Sequence, residues 1–449
     1  MKKLRFAVRF FTATLPFLAA LASLCGAARA QSNDVVSAGR QFVRLLAKQD
    51  FAAAVRQFDQ TMTKAVPQAK LAEIWRSIQN QAGAFQQIRG ARAEKLMGYD
   101  IALVTCEFAR TNLDTKVVFN TNRQVAGLFF LPTRPAVLPP PPYARTNAFR
   151  EKPLTVGSSQ WPLPGTLAVP VGGGPWPAVV LVHGSGPEDR DETVGANKPF
   201  RDLAWGLASR GIAVLRYEKR TKEYGQKLAS QACKITLQDE TIDDALSAVA
   251  KLRTTDGIDP KRVFVLGHSL GGLAAPRIGK ADPQIAGLII MAGSTRPLED
   301  IVIDQLHYLA SLNAAPLAEG MPELAKIEAD ARKVKGLTAA DAGSTNLVLG
   351  AGAAYWLDLR AYDAPATAKA LKQRILILQG QRDYQVTMED LAGWRQALDA
   401  SPNVTFKLYP ELNHLFVAGE GKSKPDEYNQ PGHVAEKVVA HIANWVLAR

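Results

Sequence analysis

The sequence predicts a two-part chain of α/β class. A mostly parallel sheet, covered on both faces and topped by a helical cap, is preceded by a small α+β unit. Three observations predict this. From about residue 149 onward, continuous apolar strands alternate with amphipathic helices, the pattern of strands buried on both faces. Before residue 131, helical stretches precede strand-like segments parted by turn residues. Between the two parts, Pro132, Pro135 and Pro139 to Pro142 form a tract that favours stiff, extended polyproline geometry. A length of 449 residues also exceeds one ordinary domain.

The first thirty residues read as a secretory signal rather than as fold. Lys2, Lys3, Arg5 and Arg9 precede an apolar stretch from Phe10 to Leu24, and Ala28-Arg29-Ala30 offers a small-residue cleavage site before Gln31. The run is short and contains Thr12, Thr14 and Pro16, which argues against a membrane anchor. This predicts a periplasmic or secreted protein with no stable membrane insertion after cleavage. Residues 31–131 form the small α+β domain. Phe42, Leu45, Leu46, Phe51, Val55 and Phe58 give Ala38–Phe58 helical periodicity, and Leu71, Ile74, Trp75 and Ile78 do so for a second helix near Lys70–Gln79. Strands are expected at Gly90–Met97, Tyr99–Phe108, Lys116–Asn120 and Gln124–Phe130, with turns at Asn112, Asp114, Asn120 and Asn122.

Residues 132–148 are the linker and 149–449 the second domain. Leu154–Val156 and Thr166–Val169 flank the turn Trp161–Gly165 as an opening hairpin. Further strands are expected at Ala178–Val182, Ile212–Leu215, Val263–Leu266, Gly287–Met291, Arg374–Leu378 and Val404–Leu408. Helices are expected at Phe200–Ser209, Thr241–Leu252 and about Gly432–Leu447. Roughly eighty residues separate the strands at 287–291 and 374–378. That is far more than a simple crossover needs, so the mostly helical stretch of about 297–370 is read as a cap over the strand ends.

The strand Val263–Leu266 runs into Gly267-His268-Ser269-Leu270-Gly271-Gly272. A buried strand entering Gly-x-Ser-x-Gly is the pattern of a sharp strand-to-helix turn with a serine at its apex, and the glycines leave room where strand and helix nearly touch. A serine hydroxyl needs a base to take its proton, and the base needs a third group to orient it. Asp383 follows the strand Arg374–Leu378, and His414 follows the strand Val404–Leu408. Loops at the carboxyl ends of neighbouring parallel strands converge, so Ser269, Asp383 and His414 form one coherent set. Asp390, which falls in the next helix, and Glu389 compete with Asp383. His433 and His441 fall in the terminal helix, His307 falls in the cap, and His268 reads as a packing residue. An oxyanion needs two donors. They are expected from the backbone amides of Leu270, just after the serine, and of Ser185 in the turn His183-Gly184-Ser185-Gly186-Pro187.

These residues carry a resemblance. The order Ser, Asp, His beyond successive strands resembles the α/β-hydrolase fold. Val182-His183-Gly184-Ser185-Gly186-Pro187-Glu188-Asp189-Arg190-Asp191-Glu192, continued by Asn197-Lys198-Pro199-Phe200-Arg201-Asp202-Leu203-Ala204, resembles secreted bacterial hydrolases of the dienelactone hydrolase and prolyl-oligopeptidase-like group. The N-terminal pattern resembles the cone-shaped nuclear-transport-factor-like fold. The resemblance implies hydrolysis of small-molecule carboxylic esters through an acyl-enzyme at Ser269, with no cofactor. It implies a dimerisation or substrate-positioning role for the N-terminal domain, which makes that domain a candidate homodimer contact. Dienelactone hydrolases proper use a cysteine where this chain has Ser269, and true oligopeptidases carry a much larger N-terminal domain. A peptidase or amidase of the same mechanism is the alternative, for which Glu299, Asp300 and Asp304 would be the amine-anchoring residues. A non-catalytic binding protein on this fold is the other, and the complete triad argues against it.

The remaining composition narrows other classes. The formal charge of +12 falls to +7 once the five basic residues of the signal are removed, leaving 49 basic against 42 acidic residues. No basic run with interleaved aromatics suggests nucleic acid. The six histidines show no metal-ligand spacing. Cys106 and Cys233 fall in different domains and are expected to be separate thiols rather than a pair. Asp189, Arg190, Asp191 and Glu192 are expected to form a local ion-pair network holding their loop, and Tyr217-Glu218-Lys219-Arg220 is read in the same way.

Overall fold

A computed structural model describes residues 24–96, 99–133, 138–229, 231–312 and 321–448. The predicted signal lies outside the described residues as far as residue 23. The chain forms two compact units, Met1–Pro135 and Ala136–Arg449, each with its own core.

The first unit is α1 (Leu24–Ala47), α2 (Phe51–Val55), α3 (Gln60–Ala65), α4 (Gln68–Ala82) and the strands β1 (Phe85–Leu96), β2 (Tyr99–Phe108), β3 (Asn112–Phe119) and β4 (Val125–Pro132). The strands pair antiparallel in chain order. Phe42 and Leu46 of α1 and Leu71, Trp75 and Ile78 of α4 pack on one sheet face with Ala102, Val104, Val117 and Phe130. The sequence predicts one helix over Ala38–Phe58, and the structure breaks it. Gln49 turns to φ 58°, and the Asp50 carboxylate accepts from the Ala53 amide at 3.0 Å, so Asp50 caps a new helix instead of continuing the old one. Asp59 does the same for α3 through the Met62 amide at 2.8 Å.

The second unit opens with the antiparallel hairpin β5 (Phe149–Val156) and β6 (Leu163–Pro170). There follow β7 (Trp176–Val182), α5 (Pro199–Ala208), β8 (Ala213–Tyr217), α6 (Arg220–Glu223), α7 (Gly225–Ala229), a π-helical turn at Gln238–Ile242, α8 (Asp243–Arg253), β9 (Ile258–His268), α9 (Leu270–Ala281) and β10 (Gly287–Met291). The intervening stretch holds α10 (Leu298–Ser311), α11 (Met321–Gly336), the short strands β11 (Leu347–Val348) and β12 (Ala351–Gly352), α12 (Ala353–Arg360) and α13 (Ala364–Lys369). The chain closes with β13 (Arg374–Gly380), α14 (Met388–Leu398), β14 (Val404–Tyr409) and α15 (Glu436–Leu447).

The sheet order is β14-β13-β10-β9-β7-β8-β6-β5. From β14 to β8 every pair is parallel, and β6 and β5 join antiparallel. Phe200, Leu203, Leu207, Val438 and Ile442 of α5 and α15 cover one face. Val249, Leu252, Leu273, Ile278 and Trp394 of α8, α9 and α14 cover the other. Strands covered on both faces must be apolar throughout, which is why they read as unbroken runs. Among the described residues the stretch read as a cap is mostly helical and holds the short β11–β12 pair, and α13 packs on α9 and α14 of the main layer. Cys106 and Cys233 are free thiols. Among the described residues no helix is long and apolar enough to cross a membrane.

Candidate active site

The carboxyl ends of the central parallel strands carry the site. At the end of β9, Ser269 is held at φ 53°, ψ −116°, in the left-handed region that disfavours a non-glycine residue. Its amide bonds the Met291 carbonyl at 2.9 Å. A Cβ on Gly267 would lie 2.0 Å from the Gly271 carbonyl oxygen, and one on Gly271 would lie 2.2 Å from the Val182 oxygen. Only glycine allows β7, β9 and the start of α9 to meet so closely. The Leu270 amide is the first of α9, and the first amides of a helix have no partner within it.

Asp383 and His414 are both buried, in the loops after β13 and β14. His414 Nδ1 lies 2.7 Å from Asp383 Oδ2. The other carboxylate oxygen accepts the amides of Gln385 at 2.7 Å and Val386 at 3.1 Å, which fixes the plane of the acid. Asn413 accepts from the amides of Leu415 and Val417 and so shapes the histidine loop. The competing residues are engaged elsewhere. Asp390 caps α14 and pairs with Arg296 at 3.1 Å. His307 pairs with Glu328. His433 precedes α15 instead of lying in it, and pairs with Asp202 of α5 at 2.9 Å.

Beside the serine runs the turn after β7. A Cβ on Gly184 would sit 3.2 Å from the Ser269 Cβ, so this turn packs against the apex of the elbow. Ser185 is exposed. His183 is buried between Phe200 and Tyr217, with Nε2 3.1 Å from the Asp189 carbonyl oxygen. Burial pulls its pKa down to about 4. Burial also pushes the Glu188 carboxyl up to about 7, reinforced by the neighbouring charge of Glu192.

Two features differ from the sequence expectation. His268 is no mere packing residue: its Nε2 lies 2.9 Å from the His414 carbonyl oxygen and its Nδ1 2.9 Å from Glu192 Oε2, a close ion-pair contact rather than a linear hydrogen bond. Burial opposes charge on both groups, but their mutual attraction wins, holding the Glu192 carboxyl below and the His268 ring above its ordinary pKa. Lys219 donates to the Gly184 carbonyl at 2.8 Å and pairs with buried Glu240 at 2.8 Å. The signal for both was charge in the loops that follow buried strands, at Glu192 in the loop after β7 and at Lys219 just after β8, though nothing local names the partners. The outer charges of the loop do form the expected network: Arg190 pairs with Glu218 at 2.6 Å, and Asp191 with Lys198 and Arg216 at 2.7 Å each. In the cap, Asp300 pairs with Lys335, Asp304 with Arg296, and Glu299 is buried.

With this geometry in place, the comparisons with known proteins decide the family. Residues 175–420 match the family described as serine aminopeptidase, S33. The chain belongs to that family. Residues 39–128 match the family described as protein of unknown function (DUF3887). Over 406 residues the S33 chain is 39% identical to Esterase EstD of Thermotoga maritima, covering 90% of this chain and 94% of the relative. Among solved structures it resembles 2,6-dihydroxy-pseudo-oxynicotine hydrolase, at 18% identity, 66% of each chain and a TM-score of 0.41. It also resembles Pyrococcus horikoshii acylaminoacyl peptidase, at 15% identity and a TM-score of 0.44, covering 80% of this chain and 49% of that one.

Proposed function

We propose that the protein is a serine esterase that cleaves small carboxylic esters through an acyl-enzyme. The single observation that carries this reading is the Asp383–His414 pair at 2.7 Å on strand-end loops of the sheet whose elbow presents Ser269. Ser269 Oγ attacks the ester carbonyl. His414, whose Nδ1–H is donated to Asp383, takes the hydroxyl proton on Nε2 and passes it to the leaving alkoxide. Asp383 keeps that tautomer and stabilises the imidazolium. The amides of Leu270 and Ser185 receive the oxyanion. Water, deprotonated by His414, then releases the acid and restores the serine. The kinship with Esterase EstD supports the choice of ester.

An aminopeptidase reading is favoured by the family description. Against it, of the three candidate amine anchors Asp300 and Asp304 are already paired with Lys335 and Arg296, and Glu299 is buried. The basic and apolar segment before Gln31 supports export to the periplasm or medium, and the N-terminal unit is the natural candidate for a homodimer contact.

The test is a fluorophosphonate probe with mapping of the adduct, alongside p-nitrophenyl acetate, p-nitrophenyl butyrate and an aminoacyl-nitroanilide. Labelling at Ser269 with turnover of the esters alone is expected. Turnover of the anilide would move the assignment to a peptidase. Ser269→Ala should fold normally and lose turnover, and retained activity in that variant would overturn the mechanism.

A further inference from the structure

The peptide group between Gly184 and Ser185 is held from its far side by a buried charge that the reaction itself does not use. Lys219, two residues beyond β8, is only 2% exposed, and its Nζ donates to the Gly184 carbonyl oxygen at 2.8 Å. That oxygen and the Ser185 N–H belong to one planar trans peptide, so fixing the first aims the second in the opposite direction. The preceding peptide is held as well, because the Gly184 amide donates to Glu192 Oε1 at 2.7 Å. Lys219 is in turn anchored by Glu240 at 2.8 Å, whose other oxygen accepts from the Tyr355 hydroxyl of α12 at 2.8 Å. All four side chains are buried.

We propose that Lys219 is a positioning residue of the oxyanion hole: its ammonium group orients and polarises the Gly184–Ser185 peptide so that the Ser185 amide donates more strongly to the charge that develops on the substrate oxygen. A cation on a carbonyl oxygen draws electron density from the amide nitrogen, and hydrogen bonds in such a chain strengthen one another. Glu192 fixes the neighbouring peptide, and the same carboxylate reaches through His268 to the His414 carbonyl. The donor loop and the base loop are therefore tied to one buried pair. This inference rests on the esterase reading, with Ser185 as oxyanion donor.

The test compares wild type with Lys219→Met and with Lys219→Met/Glu240→Gln, the second removing both charges so that no carboxylate is left buried without its cation. Folding is checked by circular dichroism and thermal melting. Each protein is assayed with p-nitrophenyl acetate and inhibited by an aryl trifluoromethyl ketone and by the matching methyl ketone. Ser269 adds to the trifluoromethyl ketone carbonyl, the hydroxyl proton passes to His414, and the adduct oxygen carries the negative charge. The methyl ketone binds without adding. In the folded double variant kcat should fall roughly 10- to 100-fold, somewhat less than deletion of an oxyanion donor, with KM changed less than about twofold. The inhibition constant of the trifluoromethyl ketone should rise in proportion, and that of the methyl ketone should stay put. An unchanged kcat in the folded double variant, or both ketones weakening together, would overturn the role of Lys219. Failure of the wild type itself to turn over ester or to bind the trifluoromethyl ketone would instead overturn the esterase reading.

Discussion

The elbow at Ser269 and the turn from His183 to Glu192 each hold a non-glycine residue at positive φ, Ser269 at 53° and Glu192 at 50°. The elbow is held by contact. Backbones meet so closely that Gly267 and Gly271 leave no space for a side chain. The turn is held by charge, with Glu192 pairing with His268 and accepting from Gly184, and Lys219 donating to the same loop. Steric restraint fails abruptly when an atom is added, whereas electrostatic restraint weakens by degrees with pH or loss of a partner. The largest effect should therefore follow Gly271→Ala. The new Cβ would meet the carbonyl oxygens of Val182 and His183 at 2.2 and 2.7 Å, backbone atoms at the centre of the sheet that cannot step aside. The variant is expected to lose about 3 kcal/mol or more, or to yield no soluble protein. A melt within a degree of wild type would mean the strands move apart more easily than the contact argument allows.

The charge-held turn should reveal itself through pH. His183 has a folded pKa of about 4 against 6.5 unfolded. Between these values the unfolded chain binds more protons, so this residue removes stability as pH falls through that window, by about 3 kcal/mol at most. Glu188 acts with the opposite sign. Its carboxyl is raised to about 7 from 4.5, so the folded state takes up protons first and gains stability on acidification between those values. In wild type the two partly cancel. His183→Phe should therefore become more stable relative to wild type as pH drops from 6.5 toward 4, and Glu188→Gln less stable relative to wild type from 7 toward 4.5. Thermal melts across that range check both signs, and parallel curves for all three proteins would show that neither group titrates as its burial implies.

The same contrast explains what could be read from the sequence. The parallel sheet was legible because two-sided burial forces unbroken apolar runs such as Val263–Leu266, and the elbow because glycine is the one residue its crowding permits. The positions of Asp383 and His414 were legible because a strand end is a local feature. The Glu192–His268 and Lys219–Gly184 contacts were not, because each joins residues from separate segments and a charge in a loop does not name its partner. The helix break at Asp50 was missed for a related reason. A side-chain cap competes with periodicity, and Phe51, Val55 and Phe58 continue the apolar pattern across it.

A smaller effect should come from the inner pair. Glu192→Gln keeps an amide oxygen that can accept from Gly184 but removes the charge facing His268. His268 owes its raised pKa to that charge, and the pair stabilises most while both members are ionised. The His268 contribution is complete below about 6.5 and fades as pH rises through its higher folded value. The variant should lose about 1–2 kcal/mol at pH 6 and less at a higher pH, once the His268 ring has given up its proton and wild type has lost the pair as well. Chemical denaturation at the two pH values reads the difference. A loss that is equal at both would show that the carboxylate acts only as an acceptor for Gly184.

The smallest effect separates the inner charges of the turn from the outer ones. Arg190 follows the turn His183–Pro187 in the sequence. Its side chain is 31% exposed, and its guanidinium is committed to Glu218 at 2.6 Å and to Thr166 Oγ1 at 2.7 Å. An ion pair this open to solvent contributes little, because water screens it and two long side chains must be ordered to make it. Arg190→Gln should therefore cost about 1 kcal/mol or less and leave kcat and KM for p-nitrophenyl acetate and butyrate within about twofold of wild type. A several-fold rise in KM that grows with acyl-chain length would contradict this. Arg190 would then be touching substrate, and the boundary between the loop's structural charges and its working ones would have to move outward from Glu192.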